Sequence, residues 1–273
     1  MRHSTSLTVF LSLSLLACSG SSTDETTDSG AVDTSADTAS EDVVVVRNFS
    51  VTNCNTGAAV GGFEICDSPT VSGVETCGTT DANGQTSTTW VNPPLASDVW
   101  IKGTHPEYST GIATGFYDED GYNATLELIE SGGSVQGSLC FFNKATSSTF
   151  LAGGELVAEE GMGQVWFVLY SNDNDDVSGA TVEFYNADGE LVEQAMYQAG
   201  MTGDLKPDAT ETSGRGGVLG YNLTPGDYTV KITHETLDCV SDGWAYKEAE
   251  ANAIPVPVQA DTWTYSYVDC SPR

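Results

Sequence analysis

The chain has 273 residues, with 39 Asp plus Glu against 9 Lys plus Arg and a formal net charge of −30. That balance opposes nucleic acid or an anionic bilayer surface as a partner, because there is no basic reservoir to displace counterions from phosphates. Hydrophobic residues at 39% suffice for a modest core but not for a membrane bundle, and 29 glycines with 9 prolines point to a loop-rich, strand-rich chain of one large or two ordinary domains.

The N-terminus carries Arg2 and His3, then a largely apolar run from Leu7 to Ala17. At 1.5 Å per residue that run crosses only about half a bilayer, so it fits the hydrophobic region of a signal peptide rather than a transmembrane helix. Leu15-Leu16-Ala17-Cys18 resembles the bacterial lipobox. The resemblance implies cleavage after residue 17, acylation of Cys18 and anchoring by buried acyl chains at about 0.8 kcal/mol per CH₂. Ser19 in the next position, where Asp would signal retention, implies the outer membrane of a Gram-negative cell. The alternative is an ordinary secretory signal whose cleavage region holds a cysteine. Residues 19–42 then hold eleven Ser or Thr and seven acidic residues, with Val32 the one large apolar side chain. Such a stretch cannot bury enough surface to offset its ordering entropy, so 18–42 reads as a disordered tether.

From Val43 onward, short apolar runs alternate with turn residues. The runs 43–46, 63–65, 86–90, 99–101, 126–129, 165–170, 181–185, 228–232 and 262–268 read as strands. Turn signals separate them, among them Asp81-Ala82-Asn83-Gly84, Pro93-Pro94, Asn186-Ala187-Asp188-Gly189 and Thr224-Pro225-Gly226-Asp227. One segment, 149–156, suggests a short helix weakened by Gly153 and Gly154.

Comparison of the two halves reveals a repeat. Val60-Gly61-Gly62-Phe63-Glu64-Ile65 parallels Val177-Ser178-Gly179-Ala180-Thr181-Val182, and Asp98-Val99-Trp100-Ile101-Lys102-Gly103-Thr104-His105 parallels Asp227-Tyr228-Thr229-Val230-Lys231-Ile232-Thr233-His234. Residues 122–128 lie opposite 262–268 as a closing strand in each copy. The separation is 117 at the first match and 129 at the second, which places about 12 extra residues in the second copy, within 193–210.

Each copy thus runs through a strand, a V-x-G-x-x-[VI] strand, a T-x-x-x-G turn with its strand, a proline-containing turn, a D-Y-T-V-K-I-like strand and a closing strand. This pattern resembles the carboxypeptidase regulatory-like family, which implies transthyretin-like sandwiches. The resemblance is stronger in the second copy, through Val177–Val182 and Leu223-Thr224-Pro225-Gly226-Asp227-Tyr228. The first copy keeps the turn Thr80-Asp81-Ala82-Asn83-Gly84 but has Pro93-Pro94-Leu95-Ala96-Ser97 where the second has Pro225-Gly226. Physical reasoning leads to the same place, since alternating strands need a second sheet to cover their apolar face. The expected fold is all-β, with two tandem Ig/transthyretin-like antiparallel β-sandwich domains. Signal peptide 1–17 and tether 18–42 precede β-sandwich domain 43–131, connector 132–161 and β-sandwich domain 162–273.

With Cys18 acylated, six cysteines remain. An even count in an exported chain favours disulfides, and the absence of C-x-x-C argues against zinc ribbons and thioredoxin-type chemistry. The repeat leaves Cys239 and Cys270 alone in the second copy, which reduces 15 pairings to three. Cys239–Cys270 would close a loop of about 30 residues, contributing on the order of 3–4 kcal/mol. Among the others the reading leans to Cys66–Cys77 and Cys54–Cys140, with buried free thiols as the alternative.

Reactive constellations are scarce. Apart from His3 in the leader, only His105 and His234 occur, at the same place in the two copies, where a loop hydrogen bond explains them more simply than catalysis. No H-E-x-x-H, G-x-S-x-G or phosphate-binding loop is present. Asp173, Asp175 and Asp176 form a compact oxygen cluster suited to Ca²⁺, against a solvated acidic turn as the plainer reading. Trp244, Tyr246, Trp263, Tyr265 and Tyr267 crowd the C-terminal third, and the last three share one strand face, where sugars could stack or a core could pack. The expectation is a non-enzymatic, lipid-anchored cell-envelope protein, a structural or binding module whose partner is an envelope protein or glycan. A Ca²⁺- or carbohydrate-dependent adhesion module is the alternative, and a hydrolase with paired carboxylates a third.

Overall fold

The computed structural model describes residues 42–69, 76–91, 99–113, 131–171, 177–198, 204–214, 216–241 and 251–273, all within the unit Glu41–Arg273. These residues are almost entirely strand. The first half contributes β1 (Val44–Asn53), β2 (Glu64–Pro69), β3 (Thr76–Thr79), β4 (Gln85–Val91), β5 (Val99–Thr104), β6 (Gly111–Ala113) and β7 (Gly133–Phe141). Helix α1 (Lys144–Gly153) follows. The second half contributes β8 (Gly163–Tyr170), β9 (Thr181–Tyr185), β10 (Leu191–Val192), β11 (Ala195–Gln198), β12 (Leu205–Lys206) and β13 (Gly216–Leu223). It ends with β14 (Gly226–Thr233), β15 (Leu237–Ser241), β16 (Ala253–Val258) and β17 (Trp263–Pro272).

The two halves have the same topology. In the first, one sheet runs β4-β1-β7 and the other β3-β2-β5-β6; in the second, β13-β8-β17 and β10-β9-β14-β16 occupy the same places. Register agrees as well. Glu64 lies opposite Thr104 and Ile65 opposite Gly103, just as Thr181 lies opposite Thr233 and Val182 opposite Ile232. The sequence matches therefore correspond to register-true pairs. A one-residue slip would have turned every core side chain outward, so this agreement is demanding.

Three pairings depart from the antiparallel expectation: β1 with β7, β17 with β8 and β17 with β6 are parallel. The first two are equivalent in the two copies, and the third joins them. Through β6 and β17, with Trp263 opposite Gly111 and Tyr265 opposite Ala113, the second sheet of the first half continues into the first sheet of the second half. The stretch read as a connector thus supplies β7, whose Leu139 and Phe141 enter the core. Its Gly/Ser-rich start, Gly133-Ser134-Val135-Gln136-Gly137-Ser138, hides the alternation. Residues 122–128, matched in sequence to β17, lie outside the described residues; β7 holds the position equivalent to β17.

Between β8-β13-β17 and β9-β14-β16 lies one core, built on Val165, Phe167, Phe184, Val218, Val230 and Val256. The other core takes Phe49, Phe63, Ile65, Ile101 and Phe141 from the first half and Trp166, Leu219, Trp263 and Tyr265 from the second. Phe141 lies across Gly103 and Gly111; a Cβ on Gly111 would stand 2.5 Å from its ring, so a side chain there would collide with it. Strand β8 is buried at all eight positions, because its two faces serve the two cores.

The helix differs from expectation in register. Asn143, extended at φ −67° and ψ 156°, accepts a hydrogen bond from Thr146 N at 2.8 Å and starts α1 five residues before the predicted 149. Gly153 and Gly154 are its end rather than a weakness inside it, with Gly154 N donating to Leu151 O. Among the described residues no helix is long and apolar enough to cross a membrane.

Candidate functional site

Cys18, the acidic trio Asp173, Asp175 and Asp176, and the aromatics Trp244 and Tyr246 lie outside the described residues. Within them, the cysteines form Cys54–Cys140, Cys66–Cys77 and Cys239–Cys270. Two of these bonds join residues directly opposite in antiparallel pairs, Cys66 with Cys77 on β2 and β3 and Cys239 with Cys270 on β15 and β17. The third staples the end of β1 to the parallel β7. No group of three or more His, Cys, Asp or Glu side chains that could hold a metal ion occurs among the described residues.

His105 and His234 are latches in their loops. In the second copy His234 Nδ1 accepts from Thr236 N and Leu237 N, each at 3.1 Å, which puts the ring proton on Nε2 to donate to Ser178 O at 3.0 Å. In the first copy His105 Nδ1 accepts from Glu107 N at 3.1 Å, and the ring stacks on Phe63 with centroids 5.0 Å apart. In both copies the histidine Nδ1 accepts a backbone N–H from the residues that follow it, and the duplicated histidine so organises a turn.

A concavity of about 780 Å³ lies between α1 and the outer face of β8 and β17. Its floor is Trp166, Val168, Tyr265 and Tyr267, with Gly217 beside them on β13. Gly217 is needed there: a Cβ would meet Trp166 and lie 2.5 Å from Gln198 Oε1. Phe150 descends from α1 to meet Trp166 edge-on at 4.8 Å, and Thr146 and Thr149 stand above it on the same helix. Gln198, at the end of β11, and Asp204 close one side, while Asn55 and the Cys54–Cys140 bond, from the first half, close the other. The Tyr267 hydroxyl lies 4.0 Å from Cys140 Sγ. Burial raises the Tyr265 phenol well above its ordinary range, so at neutral pH it is a neutral hydroxyl.

The three C-terminal aromatics divide between the two roles considered from sequence. Trp263 and Tyr265 are buried and pack in the core that both halves share, whereas Tyr267 is partly exposed and faces the cleft. What the sequence reading missed is the partner wall, in which the helix it placed at 149–156 joins Gln198 and Asp204. A signal existed in Gly163-Gln164-Val165-Trp166-Phe167-Val168-Leu169-Tyr170, apolar at alternate and intervening positions, which marks a strand covered on both faces. The equivalent outer face of β1 carries Asn48, Ser50 and Thr52, and the concavity there is lined by the polar Asn48, Gln85, Thr86, Ser87 and Gln136.

No protein-family model matches the chain, and no curated protein matches it. Among solved structures, the chain is similar to the Bacillus anthracis TIE protein at 13% identity and a TM-score of 0.27, over 84% of this chain and 34% of that one. It is also similar to a minor pilin of Streptococcus agalactiae at 11% identity and a TM-score of 0.27, over 85% of this chain and 96% of that one. A variant of the major pilin subunit of Bacillus cereus matches at 11% identity and a TM-score of 0.27, over 85% of this chain and 100% of that one.

Proposed function

We propose that this chain is an exported, lipid-anchored, non-enzymatic protein of the bacterial cell envelope, whose two sandwiches form a structural or binding module of the carboxypeptidase regulatory-like kind. The observation that carries the reading is the set of three disulfides, since such bonds persist in oxidising compartments outside the cytosol. The lipobox-like Leu15-Leu16-Ala17-Cys18 and the acidic Ser/Thr-rich tether support anchoring at an outer surface. Fractionation of cells expressing the chain with Cys18→Ala tests the anchor: the protein is expected to leave the membrane fraction for the soluble one, and retention in membranes would sink the reading.

Against the hydrolase alternative stands the lining of the cleft. Asp204 is the one carboxylate among the described residues there, and glycoside hydrolysis uses a pair. Calcium binding at Asp173, Asp175 and Asp176 rests on the sequence alone. Ligand binding is the second reading, and the aromatic cleft is the observation that favours it.

A further inference from the structure

We infer that the cleft between α1 and the outer face of β8 and β17 binds a neutral oligosaccharide. The inference rests on the cleft itself and not on the lipid anchor, so the two can fail separately.

The first argument is where the cleft comes from. The two halves share strand order and register, yet the cleft is built from what they do not share. Its roof, α1, links the halves and has no counterpart among the described residues of either. Its side wall, Gln198 and Asp204, belongs to β11 and the residues just before β12, strands that extend the second half's sheet beyond β13, where among the described residues the first half's sheet ends at β4. Its floor replaces the polar outer face of β1 with Trp166, Val168, Tyr265 and Tyr267. Trp166, Val168 and Tyr265 are buried at the base, while Phe142, Phe150 and Tyr267 stay partly exposed at the cleft, an aromatic surface where the first half keeps polar side chains.

The second argument is chemical. A volume of about 780 Å³ falls in the range of small-molecule sites, about 300–1,000 Å³. The walls carry no Lys, Arg or His among the described residues, and the whole chain is at −30, so an anionic ligand would find repulsion and no counter-charge. The polar groups are carboxamides and hydroxyls, Asn55, Gln198, Thr146, Thr149 and Tyr267, which offer donors and acceptors together. A cation uses acceptors alone, and an apolar ligand uses neither. Sugar hydroxyls use both, while the C–H face of a pyranose ring stacks on aromatic rings such as those of Phe142, Phe150 and Tyr267, each partly exposed at the cleft. Asp204 fits as a strong acceptor for a hydroxyl at the open end.

The test is calorimetric titration of the purified full chain with cellohexaose, maltohexaose and chitohexaose, beside an oligogalacturonate as the anionic probe and choline as the cationic one. At least one neutral hexamer is expected to bind, with the anionic probe silent. Thr149→Trp, on the exposed side of α1, is expected to plug the cleft and abolish binding with an unchanged melting temperature. Tyr267→Ala is expected to weaken it at least tenfold. The inference is overturned if no neutral hexamer binds, if Thr149→Trp leaves their binding intact, or if choline alone binds and is displaced by that substitution.

Discussion

Thr80 and Thr212 show the repeat at the level of single atoms. Thr80 Oγ1 accepts from Phe63 N at 2.9 Å and donates to Val60 O at 2.9 Å, while its own amide donates to Phe63 O. Thr212 Oγ1 accepts from Ala180 N at 3.0 Å and donates to Val177 O, and its amide donates to Ala180 O. Both threonines are buried, so each hydroxyl satisfies two backbone groups that water cannot reach. Thr80→Val or Thr212→Val keeps the shape and orphans both groups. Each is expected to cost about 1–3 kcal/mol in urea denaturation, with an unchanged m-value. The T-x-x-x-G pattern in the sequence marked this place as a turn, but only the fold shows the threonine clamping the start of the neighbouring strand. Arg47 is a comparable surprise. It is buried on the core side of β1, its guanidinium 4.5 Å from the Trp90 ring, in a strand whose alternation reads as apolar inward.

At the scale of elements, β8, β9, β14 and β17 were legible as the runs 165–170, 181–185, 228–232 and 262–268, whereas β7, β13 and β16 were not. Strands β1, β9 and β14 alternate buried and less buried positions as their sequences do. Strand β16 was overlooked because Pro255 and Pro257 argue against a strand, yet it is a sheet edge, where proline removes donors that nothing needs. Strand β17 is buried from Trp263 to Ser266 because both cores use it. Its Tyr265 gives that burial a pH signature. The folded phenol is raised by desolvation above its unfolded value near 10, so ionisation favours the unfolded chain. The stability it confers is complete below about pH 10 and is lost as pH rises from there towards the folded value. Tyr197 and Tyr228 shift the same way, also chiefly through burial. Melting temperatures are therefore expected to be level from neutral pH to about 10 and to fall above it, with Tyr265→Phe reducing the slope. A slope indifferent to that substitution would remove Tyr265 from the explanation.

For the whole molecule, the consequence of the β6–β17 junction is mechanical unity. The core shared by Phe49, Phe63 and Phe141 with Trp166, Trp263 and Tyr265 cannot be opened in one half without exposing the other. Calorimetry is expected to show one transition for the disulfide-intact chain, whereas two resolved transitions would show that the halves unfold independently. The cleft lies by Cys54, at the end of β1 remote from Val44, where the chain enters the fold. Ten residues of strand, at about 3.3 Å each, separate the two.

The sequence by itself determined the all-β class and the duplication in its two register-true matches, and it narrowed the cysteine pairings to three, because turn residues, alternation and repeat spacing are local or periodic signals. Tertiary structure decided the rest. The strand Gly133–Phe141 joins the first half through a parallel pairing that no local signal encodes, and the two halves share a sheet and a core. The cleft exists only because α1 and the β11–β12 segment fold over a sheet face that already has one dry side. Which of a strand's two apolar faces meets solvent, helix or sheet depends on partners distant in the chain, and periodicity is blind to them.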